Sequence, residues 1–150
     1  MPLSWFRESF ESVRDEVLRQ LKRSETEDLF KAVVAGCAIV AYADGRFSSA
    51  EKQEMLALIK RTSEVNAFDT DDALAEFERI SDLYYFDYVD GEAHAMRHLV
   101  RLRGRTEAAH IVAKACALIG AADGTFDVDE KAALRRICRL MGLDPAALDV

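Results

Sequence analysis

Ala43-Asp44-Gly45-Arg46-Phe47-Ser48-Ser49-Ala50-Glu51-Lys52 and Ala122-Asp123-Gly124-Thr125-Phe126-Asp127-Val128-Asp129-Glu130-Lys131 are two copies of one stretch, 79 residues apart. The equivalence runs upstream, pairing Cys37 with Cys116 and Ala38 with Ala117, and downstream, pairing Met55 with Leu134 and Leu58 with Ile137. This is an internal duplication. Each copy reads as helix, tight loop, helix. An apolar run ends at Asp-Gly, where Gly can take the left-handed conformation that closes a helix. Ser48-x-x-Glu51 and Asp127-x-x-Glu130 then spell the capping box of a new helix.

The same letters resemble half of a calcium loop. Counting from Gly, an EF-hand has Asp just before it, an apolar residue two after it and Glu six after it. Both copies satisfy all three. The first and third ligand positions, however, fall on Val40 and Tyr42, and on Ile119 and Ala121, which carry no carboxylate. Neither copy is a complete EF-hand.

A chain of 150 residues, half of them hydrophobic, fits one domain with a real core. No apolar run approaches the roughly 20 residues of a membrane span, and the N-terminus lacks the features of a secretory signal. The expected location is cytoplasmic. Three cysteines without CxxC spacing indicate neither a disulfide framework nor a zinc knuckle. Cys37, Cys116 and Cys138 fall on inward faces and read as small core residues rather than reactive thiols. A net charge of −7 argues against nucleic acid as the main partner. From Arg61 to Glu92 two basic residues face ten acidic ones, whereas from Ala93 to Leu118 five basic residues face one acidic, which predicts a polarised surface.

Residues 1–23 carry Phe6, Phe10, Val13, Val17 and Leu21 at helical spacing, an amphipathic helix expected to dock on the core, with a membrane-interface helix as the alternative. Residues 25–43 are apolar around most of the circumference, so this helix should be central. Asp69 or Thr70 begins a helix with Leu74, Phe77 and Ile80 inward; its outward carboxylates, Asp69, Asp71, Asp72 and Glu76, form an acidic face suited to a basic partner. Tyr84-Tyr85-Phe86-Asp87-Tyr88 reads as core filling, with a docking patch as the alternative. His94 and His98 share a face of a basic helix over 91–103, but without HExxH or an apparent third ligand they do not read as a metal site. Arg101, Arg103 and Arg105 read as a solvated face. Gly104 punctuates, Thr106 caps an apolar helix over 107–121, and Gly142 ends the helix of the second copy. Asp144-Pro145 opens a last short helix. Ala38 and Ala41, with Ala117 and Gly120, should let the two apolar helices approach closely. No strand is expected. The fold class is all-α, seven to eight helices in one compact domain over 1–150, with internal repeats at about 29–59 and 108–138.

The paired Asp-Gly-x-Phe-x-x-x-Glu-Lys motifs, Phe68-Asp69-Thr70 in the middle and the tail Met141-Gly142-Leu143-Asp144-Pro145 resemble the TerB family of tellurite-resistance proteins across essentially the whole chain. The resemblance implies a compact helical fold, a role in bacterial tellurite resistance and related chemical stress, and a metal-ion site on the acidic motifs. By position its ligands are Asp44 and Glu51 in the first motif and Asp123 and Glu130 in the second. Asp127 and Asp129 add oxygens only in the second, where the first has Ser48 and Ala50. All-oxygen ligation selects a hard cation such as Ca²⁺, Mg²⁺ or Mn²⁺. The plainer alternative is that Asp44 and Asp123 end helices while Glu51 and Glu130 serve as capping-box partners. No nucleophile–base pair, phosphate loop or cofactor fingerprint is present, so the expectation is a non-enzymatic interaction module with no organic cofactor. Its expected partners are other tellurite-resistance proteins, including membrane-bound ones at the inner face of the membrane. A metal-free helical adaptor is the competing function.

Overall fold

The computed structural model describes residues 12, 14–17, 19, 27–44, 48–62, 70–122, 127–148 and 150. Helix follows helix: α1 Glu27–Asp44, α2 Ser49–Thr62, α3 Thr70–Phe86, α4 Tyr88–Val100, α5 Thr106–Gly120 and α6 Val128–Leu140, closed by a 3-10 turn at Pro145–Leu148. There is no strand among the described residues. Asp69, Asp123, Gly45, Gly124 and most of residues 1–23 lie outside them.

Helix α1 sits in the middle because its sequence leaves no polar face to turn outward. Leu29, Phe30, Ala32, Val33, Val34, Ala35, Cys37, Ala38, Ile39, Val40 and Ala41 are all buried, and α2 to α6 all pack on it. Helix α5 is its main neighbour and repeats the pattern, with Ile111, Val112, Cys116, Leu118 and Ile119 buried. Each fully buried large side chain, such as Phe30 or Ile119, contributes about 1.5–3 kcal/mol. The two helices leave no room for a side chain at Gly36, where an added Cβ would collide with Cys116 Sγ. The small residues singled out from the sequence, Ala38, Ala41 and Ala117, are buried as well. The described part of the N-terminal segment is helical. Its Val17 is fully buried, Arg14 forks onto Glu54 of α2 at 3.0 and 3.1 Å, and Lys114 of α5 donates to Glu16 at 2.9 Å.

Local chemistry sets the helix ends. Asp127 accepts from Glu130 N at 2.8 Å, and Glu130 Oε1 accepts from Asp127 N at 3.1 Å, a complete capping box. In the first copy Ser48 Oγ accepts from Glu51 N at 3.1 Å. Helix α6 ends in a Schellman motif: Gly142 takes φ +79°, Leu143 N donates to Cys138 O at 2.8 Å and Gly142 N to Arg139 O at 3.0 Å. Two expected boundaries move. Helix α4 starts at Tyr88 rather than 91 because Asp87 caps it, accepting from Val89 N and Asp90 N. Gly91 therefore lies inside a helix, buried against Tyr84, whose backbone occupies the space of a Cβ. Thr106 does not cap α5. It is the first helical residue, and Arg105 before it makes no side-chain cap; the chain turns at Gly104, φ +83°.

Arg103 is exposed, as are Arg101 and Arg105, in keeping with a solvated face; it also reaches α6, donating from Nε to Leu140 O at 2.9 Å and from Nη2 to Arg139 O at 3.0 Å. Both carbonyls lie in the last turn of α6, beyond the reach of the helix's own i+4 donors; Arg139 O also accepts from Gly142 N, and a cation there suits the helix dipole.

The aromatic cluster divides. Tyr84 is buried and stacks on Tyr42 of α1, with ring centroids 4.2 Å apart and planes 5° from parallel. Its hydroxyl donates to Glu92 at 2.6 Å, and Arg136 of α6 pairs with the same carboxylate. Burial, followed by this hydrogen bond, drives the Tyr84 hydroxyl strongly upward in pKa. Tyr85 and Phe86, by contrast, are 85% and 83% exposed. Core filling therefore accounts for Tyr84 and not for its neighbours.

Candidate functional site

The motif glutamates are the informative members of the acidic loops. Glu51 and Glu130 occupy the first turns of α2 and α6, yet they are only 3% and 2% exposed. A glutamate that served only as a cap could remain in water; these two are drawn into the protein. Glu51 is near enough to Cys37 for its charge to add to the upward shift of that thiol, which comes chiefly from the hydrogen bond with Cys116 and from burial. Asp127 and Asp129 are exposed, Asp127 as the cap of α6. Asp44 is the last residue of α1.

The acidic face keeps Asp71 and Asp72, both exposed in the first turn of α3, together with Glu78, Asp82, Asp87 and Asp90. Glu76 does not belong to it. One turn further along α3 it points toward α4 and is 8% exposed, so it does not reach solvent with Asp71 and Asp72 as its helical register suggested.

Glu76 instead completes a cluster with the two histidines of α4. Its Oε1 lies 2.9 Å from His98 Nε2 and 3.5 Å from His94 Nε2, and one ligand atom from each of the three residues lies within 4.8 Å of the others. The imidazoles meet edge to face, centroids 5.3 Å apart. Arg79, one turn beyond Glu76, places Nη2 3.2 Å from Glu76 Oε1, 3.1 Å from Oε2 and 3.3 Å from His94 Nε2. An arginine can only donate, so His94 Nε2 presents its lone pair to the cluster. Burial lowers the pKa of His98 against the opposing pull of Glu76. Burial works to raise that of Glu76, but Arg79 and His98 outweigh it and the net shift is downward. The site thus holds an ionised carboxylate and a neutral imidazole near neutral pH. The sequence offered His94 and His98 at i and i+4 but hid the third member, which comes from another helix 18 residues earlier.

No described helix is long and apolar enough to cross a membrane. Fold and loops together define a small all-α bundle in which a buried glutamate opens the helix after each Asp-Gly loop. The chain belongs to the TerB family: residues 30–149 match the family model described as tellurite resistance protein TerB. A protein from Alcaligenes sp named "Tellurium resistance protein TerB" is 31% identical over 100 residues, covering 67% of this chain and 82% of that protein. No solved structure matches.

Proposed function

We propose that this chain serves tellurite resistance and related chemical stress as a non-enzymatic interaction module whose acidic loops hold a hard divalent cation. Family membership supports the tellurite-resistance part of this reading. The observation that carries the ion is the matching burial of Glu51 and Glu130 at equivalent places in the two motifs. Carboxylate oxygens held out of water attract a cation more strongly than exposed ones do. Asp44, Glu51, Asp123 and Glu130 are the proposed ligands, with Asp127 and Asp129 adding oxygens at the second loop, and the oxygen donor set fits Ca²⁺, Mg²⁺ or Mn²⁺. The proposed docking surface combines Asp69, Asp71 and Asp72 with the exposed Tyr85, Phe86 and Val89, and its proposed partners are other tellurite-resistance proteins on the cytoplasmic side, including membrane-bound ones.

A metal-free adaptor is the second reading, and the complete Asp127–Glu130 capping box favours it. Calorimetric titration of chelator-stripped protein with the three cations separates the two. Binding that disappears when Asp44 and Asp123 are both changed to Asn supports the ion site; absence of heat and of thermal stabilisation at millimolar cation leaves the adaptor.

A further inference from the structure

We infer that Glu76, His94 and His98 form a second metal site, chemically distinct from the acidic loops and suited to a borderline divalent ion such as Zn²⁺. Two nitrogens and one oxygen are the donor set of open tetrahedral zinc sites, which keep the fourth position for water or another ligand. Imidazole favours Zn²⁺, Ni²⁺, Co²⁺ and Cu²⁺ over Ca²⁺ and Mg²⁺.

The geometry is close to that of a loaded site. Ligands about 2.0–2.1 Å from a tetrahedral zinc stand roughly 3.3 Å from each other, and Glu76 Oε1 lies 2.9 and 3.5 Å from the two histidine Nε2 atoms. The i, i+4 spacing places both rings on one face of α4, and the packing of α3 against α4 supplies the carboxylate. Small side-chain rotations are enough to bring all three atoms onto one ion.

His98 is the buried ligand of the set, 6% exposed, so its imidazole is held in place by packing; its Nδ1 has no hydrogen-bond partner among the described residues and faces away from the ion. In the metal-free protein Nε2 donates to the Glu76 carboxylate. Transfer of that proton to Nδ1 keeps the ring neutral and frees the Nε2 lone pair for the ion.

Arg79 marks where a positive charge is already held, since one guanidinium nitrogen touches both Glu76 oxygens and His94 Nε2. Its side chain is 60% exposed, so it can swing into water when a metal arrives. The His94 side chain, 21% exposed, is the most accessible of the three ligands.

The test uses tag-free, chelator-stripped full-length protein titrated with Zn²⁺ by calorimetry and with Co²⁺ by visible absorption. The expected result is one equivalent bound at this site, with the intense d–d bands of tetrahedral Co²⁺ displaced by Zn²⁺. His94→Ala, at the most exposed ligand, should weaken binding at least about tenfold and remove those bands while the circular dichroism stays helical. Glu76→Gln should act in the same direction, and Arg79→Gln should preserve or tighten binding. Co²⁺ bands that survive His94→Ala, a thiolate charge-transfer band, or loss of the bands in Asp44→Asn/Asp123→Asn would each overturn the assignment. Because the hard-cation titration uses different ions and residues, its failure leaves this site standing, and the reverse holds.

Discussion

Cys116 Sγ stands where a side chain on Gly36 would have to go, so the two central helices meet through a thiol on one and the absence of a Cβ on the other. The same sulfur points toward Val33 O at 3.9 Å. Gly36→Ala should therefore destabilise the fold by about 1–3 kcal/mol through overpacking, although alanine is the better helix former. In a Cys116→Ala background the added methyl meets Cys116 Cβ and Ile137 Cδ1 only at 3.8 and 3.7 Å. There the same substitution should become neutral or stabilising by up to about 1 kcal/mol. Denaturant midpoints of the four proteins in this cycle measure the reversal; additive effects would show that the thiol is not the obstacle.

Cysteine labelling should be slow at all three described thiols. Cys37, Cys116 and Cys138 are buried; the hydrogen bond to Cys116 and burial raise Cys37, and burial pushes Cys138 up to about 12. A thiol raised in the folded state favours folding below its unfolded value. That contribution should diminish as pH climbs from the ordinary thiol range, 9.0, toward about 12. Stability measured from pH 8 upward should fall, and Cys138→Ala should flatten the slope.

Arg103→Met should lower stability by about 1 kcal/mol, because two terminal carbonyls of α6 lose charged donors that water replaces less strongly. Arg103→Lys should recover little of this, since one ammonium cannot reproduce the fork on Leu140 O and Arg139 O. Equal stability of all three proteins would reduce the contact to a surface ornament.

A hard divalent cation at 100 times its dissociation constant should add about 2.7 kcal/mol of stability to the unmodified chain. Asp44→Asn together with Asp123→Asn should abolish the corresponding rise in melting temperature. An equal rise in both proteins would place the ion elsewhere.

Capture of a tellurite-resistance partner should weaken as salt rises. Reversal of Asp71 and Asp72 to Lys should reduce it, and so should Phe86→Ser at the exposed aromatic tip. Capture that ignores these changes but is lost on deleting residues 1–21 assigns docking to the N-terminal segment.

How much of this could be read from the chain depends on how local each feature is. The central position of α1 was legible because eleven of its residues are buried apolar ones and no polar face competes. Both motif caps were legible because a capping box needs only four consecutive residues. The Glu76 cluster was not, since its third ligand depends on how α3 lies against α4, which no spacing along one helix encodes. Tyr84 and Tyr85 carry identical side chains, and only the direction of the core separates the buried ring from the exposed one. Arg103 reads correctly as exposed, but its bonds to α6 were hidden because its acceptors lie 36 and 37 residues away.

Tyr42 of the Tyr42–Tyr84 stack stands two residues before Asp44, the last residue of α1. Parallel phenols at 4.2 Å couple their electronic transitions, and the coupling changes steeply with small shifts in distance or tilt. The protein therefore carries an intrinsic optical gauge: near-ultraviolet dichroism of these rings should report any shift of α1 against α3, without any added label.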